Sequence, residues 1–172
     1  DPMSPMRRNK LCLYVHCVWG TWDRQPLITP AVERRLHRCI AAEAIKLGCA
    51  VLALNGVADH VHLFVMLPST VTIAELLKQV KGVSSNFAND HLFPNRRFKW
   101  EGGYGAFSVS RWDVEKIMGY VRKQKTHHSQ NDLWPDYEES IEEVATADVP
   151  LLPTAWQVVS DSWEAEVAQT EG

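Results

Sequence analysis

Several features of membrane and secreted proteins are missing from this chain of 172 residues. No apolar run approaches the roughly 18 residues that a membrane-spanning helix requires, and the first residues lack the apolar stretch of a secretion signal. The four cysteines form no C-x-x-C pair and no zinc-ribbon spacing, so reduced and mostly buried thiols are expected. We therefore expect a cytoplasmic protein that has neither a membrane span nor a disulfide framework.

Positive charge is absent from the C-terminal part of the chain. All 18 Lys and Arg residues lie within residues 1–130, where 10 acidic residues leave a net charge of +8. Residues 131–172 hold the other 11 acidic residues and no Lys or Arg. A basic body of this kind attracts polyanions. The acidic segment either is a solvated tail or masks the basic body, and the sequence leaves both interpretations open.

The length and composition fit one soluble globular domain. An apolar fraction of 45% and a charged fraction of 23% exclude collagen-like and wholly disordered chains. Residues 1–9 are expected to be a disordered N-terminus or a remnant of cloning, residues 10–130 the folded domain, and residues 131–172 an acidic C-terminal extension. One helix is predicted in that extension, near residues 138–145.

The pattern of apolar residues predicts alternating strands and helices. Strands are predicted over residues 10–19, 49–57, 60–67 and 104–110, and helices over residues 30–47, 72–89 and 110–129. The helix starts rest on Thr29 before a proline, on a T-x-x-E capping box at Thr72, and on an S-x-x-D pattern at Ser110. We predict an α+β fold with one antiparallel sheet of four to five strands and helices packed on it.

The first candidate site is the pair His60 and His62 in the predicted strand 60–67. Side chains two residues apart in a strand point to the same face about 6.7 Å apart, so both imidazoles can reach one shared ion. The pair can equally be two core histidines, because an H-x-H pattern arises readily by chance. His16, in the first strand, is open to the same two interpretations.

The second candidate is Tyr120 with Gln124 on the third predicted helix. Residues four apart are neighbours on a helix surface, so a tyrosine nucleophile and a carbonyl-oxygen ligand can lie side by side. The alternative is that Tyr120 is a boundary residue of the core. His127 and His128, about one turn further on, are either ligands or cations favoured by the helix C-terminus.

Taken together and in order, these motifs resemble the single-tyrosine HUH transposases of the insertion-sequence two-hundred and six-hundred-five type, including the REP-associated tyrosine transposases. The matching stretches are His16-Cys-Val-Trp19, Asp59-His-Val-His-Leu-Phe-Val65, Lys81-Gly-Val-Ser-Ser85, Trp100-Glu-Gly-Gly-Tyr-Gly-Ala-Phe-Ser-Val-Ser110 and Ile117-Met-Gly-Tyr-Val-Arg-Lys-Gln124. They span residues 11 to about 128 with similar spacing.

The resemblance implies a ferredoxin-like or RRM-like HUH endonuclease fold and a DNA strand transferase. Such enzymes cut single-stranded DNA at hairpin-bearing ends and rejoin it through a 5′-phosphotyrosine intermediate. Carried over by motif, Tyr120 is the nucleophile, and His60, His62 and Gln124 are ligands of Mg²⁺ or Mn²⁺. The family works as a homodimer, in some members with active sites shared between subunits.

Basic residues flank these motifs and are candidates for contact with DNA phosphates. They are Lys78, Lys81, Arg96, Arg97, Lys99, Arg111, Arg122, Lys123 and Lys125. Phe98, Trp100 and Trp112 lie among them and either stack on unpaired bases or pack in the core.

Two other functions remain open at the level of sequence. One is a domesticated hairpin-DNA-binding protein that has lost productive cleavage. The other is a metal-dependent hydrolase in which the histidines help to activate water and Tyr120 is structural.

Overall fold

The computed structural model describes residues 9–130 of the chain. The elements in order are β1 (Tyr14–Gly20), a 3-10 turn (Trp22–Arg24), α1 (Pro30–Lys46), β2 (Ala50–Gly56), β3 (His60–Met66), α2 (Ile73–His91), β4 (Gly105–Val109), α3 (Val114–Arg122) and α4 (Gln124–Gln130). The predicted helix near residues 138–145 and the acidic extension lie outside the described residues.

The four strands form one antiparallel sheet in the order β2-β3-β1-β4. β3 and β1 occupy the centre, and β1 is buried on both faces, as its apolar run predicts. The expected α+β fold with a four- to five-stranded antiparallel sheet is therefore confirmed, with four strands among the described residues.

Helices cover both faces of the sheet. Val61, Leu63 and Val65 of β3 point into the larger core, which includes apolar side chains of α1 and α2. Phe64, whose side chain points the opposite way, packs with Ile117 and Val121 of α3. Strand alternation thus divides the apolar residues between two cores, and each core fixes one layer of helices.

Several short sequence patterns form the helix ends and the turn that they predict. The Thr72 hydroxyl accepts from the Glu75 backbone N–H, and the Glu75 carboxylate accepts from the Thr72 N–H, which completes the capping box of α2. Gly48 follows α1 with φ of +90°, a conformation in which a side chain would be strained. β2 and β3 form the predicted hairpin.

Two predicted boundaries are wrong. β1 begins at Tyr14 rather than at residue 10. The single helix over residues 110–129 is two helices: α3 begins only at Val114, because the Ser110 hydroxyl bonds to the Trp112 N–H and the Asp113 carboxylate in a turn.

The predicted third helix is also interrupted at Lys123. The backbone angles of this residue, φ of −99° and ψ of 18°, are not helical, and α3 ends before it. The Asn55 side-chain amide of β2 donates to the carbonyl of Arg122 at 2.8 Å. A tertiary hydrogen bond therefore satisfies the carbonyl of the last residue of α3, and α4 begins at Gln124.

Within residues 9–130, none of the helices combines the length and the apolar character needed to span a membrane.

Candidate active site

The two histidines of β3 lie side by side on the face of the sheet that α3 covers. His60 and His62 are both buried, and their ring centroids are 5.2 Å apart. Because β3 pairs with β2 on one side and β1 on the other, the backbone that carries both rings is hydrogen-bonded along both edges. The sheet therefore fixes the two imidazoles on one face, as strand alternation predicts.

Each β3 histidine has its Nδ1 atom engaged by a neighbouring side chain. His60 Nδ1 lies 2.6 Å from a carboxylate oxygen of Asp59, and this hydrogen bond is the main reason why the pKa of the Asp59 carboxyl is lowered. His62 Nδ1 lies 2.9 Å from His16 Nε2, and these two rings stack with their centroids 5.1 Å apart. Because Nδ1 is engaged in both rings, Nε2 is the atom of each ring that is suited to bind a metal ion.

A third histidine reaches this face from α4. The His128 ring is partly buried, and its centroid lies 4.8 Å from that of His60. One ring nitrogen from each of His60, His62 and His128 lies within 4.8 Å of the other two. These three residues, the histidine triad, could hold a metal ion.

Tyr120 lies beside this triad. Its ring meets the His62 ring edge-on, with the centroids 6.1 Å apart, and only 2% of the residue is exposed. The structure thus brings the predicted nucleophile and the predicted histidine ligands together within one chain. It also buries that nucleophile more deeply than its position at the edge of the apolar stripe predicts.

Gln124, the first residue of α4, is fully buried. Its side-chain N–H donates to the carbonyl of Tyr120 at 3.4 Å, and its buried Oε1 has no hydrogen-bond partner among the described residues. Leaving a buried amide oxygen unsatisfied is costly. An amide oxygen without a hydrogen-bond partner among the described residues, four residues from Tyr120 on the chain, is of a type that can bind a divalent metal ion.

The nine predicted DNA-binding residues fall into two groups. The first group lies on α2 and in the segment before β4, and it contains Lys78, Lys81, Arg96, Arg97 and Lys99. The second group lies on or next to α3 and α4, and it contains Arg111, Arg122, Lys123 and Lys125. All are exposed except Lys81, which is half-buried. The burial of Lys81 lowers the pKa of its ammonium group, which donates to the carbonyl of Gly103.

Three lysines of the first group share a cavity. Lys78, Lys81 and Lys99 line a space of about 450 Å³ between α2 and residues 98–104. Lys125, in contrast, is tied to the protein itself: its ammonium donates to Glu33 and to the side chain of Asn55. Three of the five residues of the first group therefore surround a space that a ligand can enter.

The three aromatic candidates for stacking on DNA bases differ in exposure. Phe98 and Trp100 are buried in the larger core, so they are packing residues rather than stacking platforms. Trp112 is 79% exposed, with the Arg111 guanidinium over its ring at 4.2 Å. Of the three aromatic candidates, Trp112 is the one with a face available to a base.

Two residues extend the site beyond the β3 pair, His16 and His128, and the role of each was open from the sequence alone. The signal for His16 was strand alternation, since it lies diagonally across from His62 in the β1–β3 register. The signal for His128 was its spacing of four residues from Gln124. His127 is the neighbouring residue, and its side chain lies outside what the structure describes.

Comparisons with known proteins identify the family of this chain. Residues 9–124 match the family described as "Transposase IS200 like". No curated protein sequence matches the chain at a significant level.

Two solved structures resemble this fold. One, a proposed transposase of Deinococcus radiodurans R1, has a TM-score of 0.55 and 22% identity over 70% of this chain and 98% of that chain. The other, a REP-associated tyrosine transposase bound to a REP hairpin, has a TM-score of 0.56 and 14% identity over 88% of this chain and 89% of that chain. The family match covers well over half of the sequence, and this chain therefore belongs to the IS200-like transposase family.

Proposed function

We propose that this protein is a DNA transposase that cleaves and rejoins single-stranded DNA through a covalent bond between Tyr120 and a 5′-phosphate. The observation that carries the proposal is the contact of the Tyr120 ring with His62, next to His60 and His128. A phenol beside a set of metal-binding imidazoles is the arrangement that phosphoryl transfer to tyrosine needs.

In the proposed reaction the Tyr120 oxygen attacks the scissile phosphorus. The bond between phosphorus and the 3′-oxygen breaks, the phenolic proton is lost, and a proton ends on the 3′-hydroxyl. The phosphodiester energy is kept in the phosphotyrosine bond, because a phenol with a pKa of about 10 is a better leaving group than an alkoxide. Attack by a 3′-hydroxyl on this bond rejoins the DNA.

The burial of Tyr120 adds a requirement. Since 2% of the residue is exposed, DNA reaches the phenol only after the side chains around α3 and α4 move apart. The helix break at Lys123 lies between Tyr120 and Gln124 and is a natural point for that movement.

We propose that His60, His62 and Gln124 hold the catalytic metal ion, Mg²⁺ or Mn²⁺. The buried Gln124 oxygen that has no partner among the described residues supports its inclusion. When bound, the ion would neutralise charge that develops on the phosphate in the transition state. Asp59 and His16 would orient the two imidazoles through their Nδ1 atoms.

The proposed DNA is single-stranded and carries a hairpin. The similar REP-associated transposase is described as bound to a REP hairpin. The cavity lined by Lys78, Lys81 and Lys99 supports a second contact with DNA, away from Tyr120, because three ammonium groups around one space attract phosphate. The remaining predicted contacts, Arg96, Arg97, Arg111, Arg122, Lys123 and Lys125, would extend the basic surface.

We further propose that the active protein is a homodimer. Because Tyr120 and His62 of one chain are already in contact, the described conformation supports active sites that each form within one subunit. Mixing Tyr120→Phe protein with His62→Ala protein tests this arrangement. Sites within one subunit predict no recovery of cleavage, whereas recovery in the mixture would contradict them.

The main test is a cleavage assay on single-stranded DNA that carries the hairpins flanking the gene in its genome. The DNA is labelled at its 3′ end and incubated with Mg²⁺ or Mn²⁺, and the products are separated on a denaturing gel. We expect a labelled protein–DNA adduct with the wild-type protein, and no adduct with Tyr120→Phe or in the presence of a chelator.

Tyr14→Phe is the matched control, because Tyr14 packs against Phe64 on the same face of the sheet and also loses only a hydroxyl group. It should form adduct at the wild-type rate. Cleavage without an adduct would instead support a metal-dependent hydrolase, and binding without cleavage would support a domesticated DNA-binding protein. Either result overturns the proposal.

A further inference from the structure

We propose that His128 is a further ligand of the metal ion, and that three imidazoles make the site select a first-row transition-metal ion over Mg²⁺. The inference deepens the proposed function, on which it rests. Family resemblance assigns two imidazoles and one amide oxygen to the metal. The structure adds a third imidazole from α4, eight residues after Tyr120.

The distances support this ligand set. The ring nitrogens of His60, His62 and His128 lie within 4.8 Å of one another. Nitrogens bound to one ion at about 2.1 Å each lie about 3.0 to 3.4 Å apart when the angles between their bonds are those of an octahedral or tetrahedral site. Binding of one ion would therefore draw the three rings closer together than they are here.

The neighbouring contacts support it too. The Nδ1 atoms of His60 and His62 bond to Asp59 and His16, which turns the Nε2 atoms of both rings away from those partners. The His128 ring lies next to the His60 ring, with a centroid distance of 4.8 Å. The short helix α4 carries both His128 and Gln124, and residues four apart lie on the same side of a helix.

Such a donor set determines the preferred metal. Mg²⁺ prefers oxygen ligands and near-ideal octahedral geometry, and it is rarely bound by several imidazoles. Imidazole suits Co²⁺, Ni²⁺ and Zn²⁺, and affinity for nitrogen donors rises from Mn²⁺ to Co²⁺. A set of three imidazoles and one amide oxygen also leaves two positions of an octahedral ion open for substrate oxygen atoms.

Metal titration of the full chain without DNA tests the proposal. Binding of Mg²⁺, Mn²⁺ and Co²⁺ is measured by calorimetry, and Co²⁺ also by its visible absorption. We expect Co²⁺ to bind at least about tenfold more tightly than Mg²⁺. His128→Ala should weaken Co²⁺ binding by at least about tenfold and change the absorption spectrum, since a nitrogen ligand is replaced by water.

His91→Ala is the matched control, because His91 is an exposed histidine at the end of α2, the helix on the opposite face of the sheet. It should bind Co²⁺ like the wild type, and His60→Ala should lose the site. If His128→Ala matches the wild type while His60→Ala loses binding, or if Mg²⁺ binds as tightly as Co²⁺, the proposal is wrong.

A measurement on the wild-type protein covers the case in which His128→Ala does not fold. Paramagnetic Co²⁺ should shift the ring signals of His60, His62 and His128 in NMR spectra and leave those of His91 in place. An unshifted His128 ring would contradict the proposal.

The two proposals fail separately. If His128 is not a metal ligand, the wild-type protein still forms the Tyr120 adduct in the cleavage assay. If the wild-type protein forms no adduct, its Co²⁺ spectrum and the change caused by His128→Ala are still expected.

Discussion

His16 contacts the candidate metal site through His62. It is buried, and its Nε2 atom lies 2.9 Å from His62 Nδ1. A hydrogen bond of this kind fixes the tautomer and the orientation of a metal-binding imidazole. His16→Leu should therefore lower metal affinity by about 10- to 100-fold, measured by calorimetry with Mn²⁺ or Co²⁺.

His91→Leu is the control for this substitution, because it makes the same chemical change at an exposed histidine. It should leave metal affinity unchanged. Wild-type affinity in a folded His16→Leu protein would show that His62 needs no orienting partner.

A second prediction for a single residue concerns His37, which makes the stability of the folded protein depend on pH. Burial is the largest cause that lowers its pKa from 6.5 to about 4, opposed by the Glu33 carboxylate and reinforced by the Lys125 ammonium. The unfolded chain therefore binds a proton that the folded chain excludes, and stability falls as the pH drops from about 6.5 towards 4. Urea unfolding at pH 7 and pH 4.5 should show this loss of stability.

His37→Gln removes the titrating group and keeps a polar side chain. The difference in unfolding free energy between the two pH values should be smaller in this variant than in the wild type. An equal difference in the two proteins would assign the acid sensitivity to other groups.

At the scale of elements, the β2–β3 hairpin sets the position of His60. A Cβ atom at Gly56 would lie 2.3 Å from the backbone carbonyl oxygen of His60. Gly56→Ala must therefore push the start of β3 away from β2. We expect a loss of stability of about 1 to 3 kcal/mol, measured by urea unfolding, and weaker metal binding.

Gly82→Ala is the comparison, because Gly82 lies within α2 and its Cβ atom would meet no atom within 4 Å. Alanine is favoured over glycine in a helix by up to about 1 kcal/mol, so this variant should be as stable as the wild type or more stable. Equal effects at the two positions would show that the close approach at Gly56 is not a constraint.

The elements that local chemistry controls were predictable from sequence. The Thr72 capping box, the stop at Gly48 and the face shared by His60 and His62 depend on neighbouring residues, and the structure has all three. The break at Lys123 was not predictable, because it involves a hydrogen bond to the carbonyl of Arg122 from Asn55, which lies 67 residues before Arg122 in the chain. The missed break also left the direction of His128 undetermined by helical periodicity.

The depth at which Tyr120 is buried was not predictable either, because it too depends on tertiary contacts. Its place at the edge of the apolar stripe of α3 follows from helical spacing, but its depth depends on how α3 packs on the sheet. Helical spacing thus placed Tyr120 beside Gln124, the family resemblance made Tyr120 the candidate nucleophile, and tertiary packing determines how deeply it is buried.

At the scale of the whole molecule, charge is divided along the chain, with a net +8 in residues 1–130 and 11 acidic residues in residues 131–172. Binding of single-stranded DNA should weaken steeply with salt, because phosphate contacts release counterions. Replacing Lys78, Lys81 and Lys99 together by Gln should reduce the slope of log affinity against log salt by about 2, since each contact contributes about 0.7. Fluorescence anisotropy over a range of salt concentrations measures this slope.

Lys46→Gln is the control, because Lys46 is an exposed cation on α1 that pairs with Glu43. Its slope should match that of the wild type. A triple variant with an unchanged slope would show that the cavity lined by these lysines does not contact DNA.

The proposed covalent bond between Tyr120 and DNA is tested most directly by identifying the residue that carries DNA after cleavage. Wild-type protein is reacted with hairpin-bearing single-stranded DNA and a divalent metal ion, digested with protease and nuclease, and analysed by mass spectrometry. We expect a nucleotide attached through its 5′-phosphate to the peptide that contains Tyr120. A nucleotide on any other residue, or cleaved DNA without a modified peptide, would contradict it.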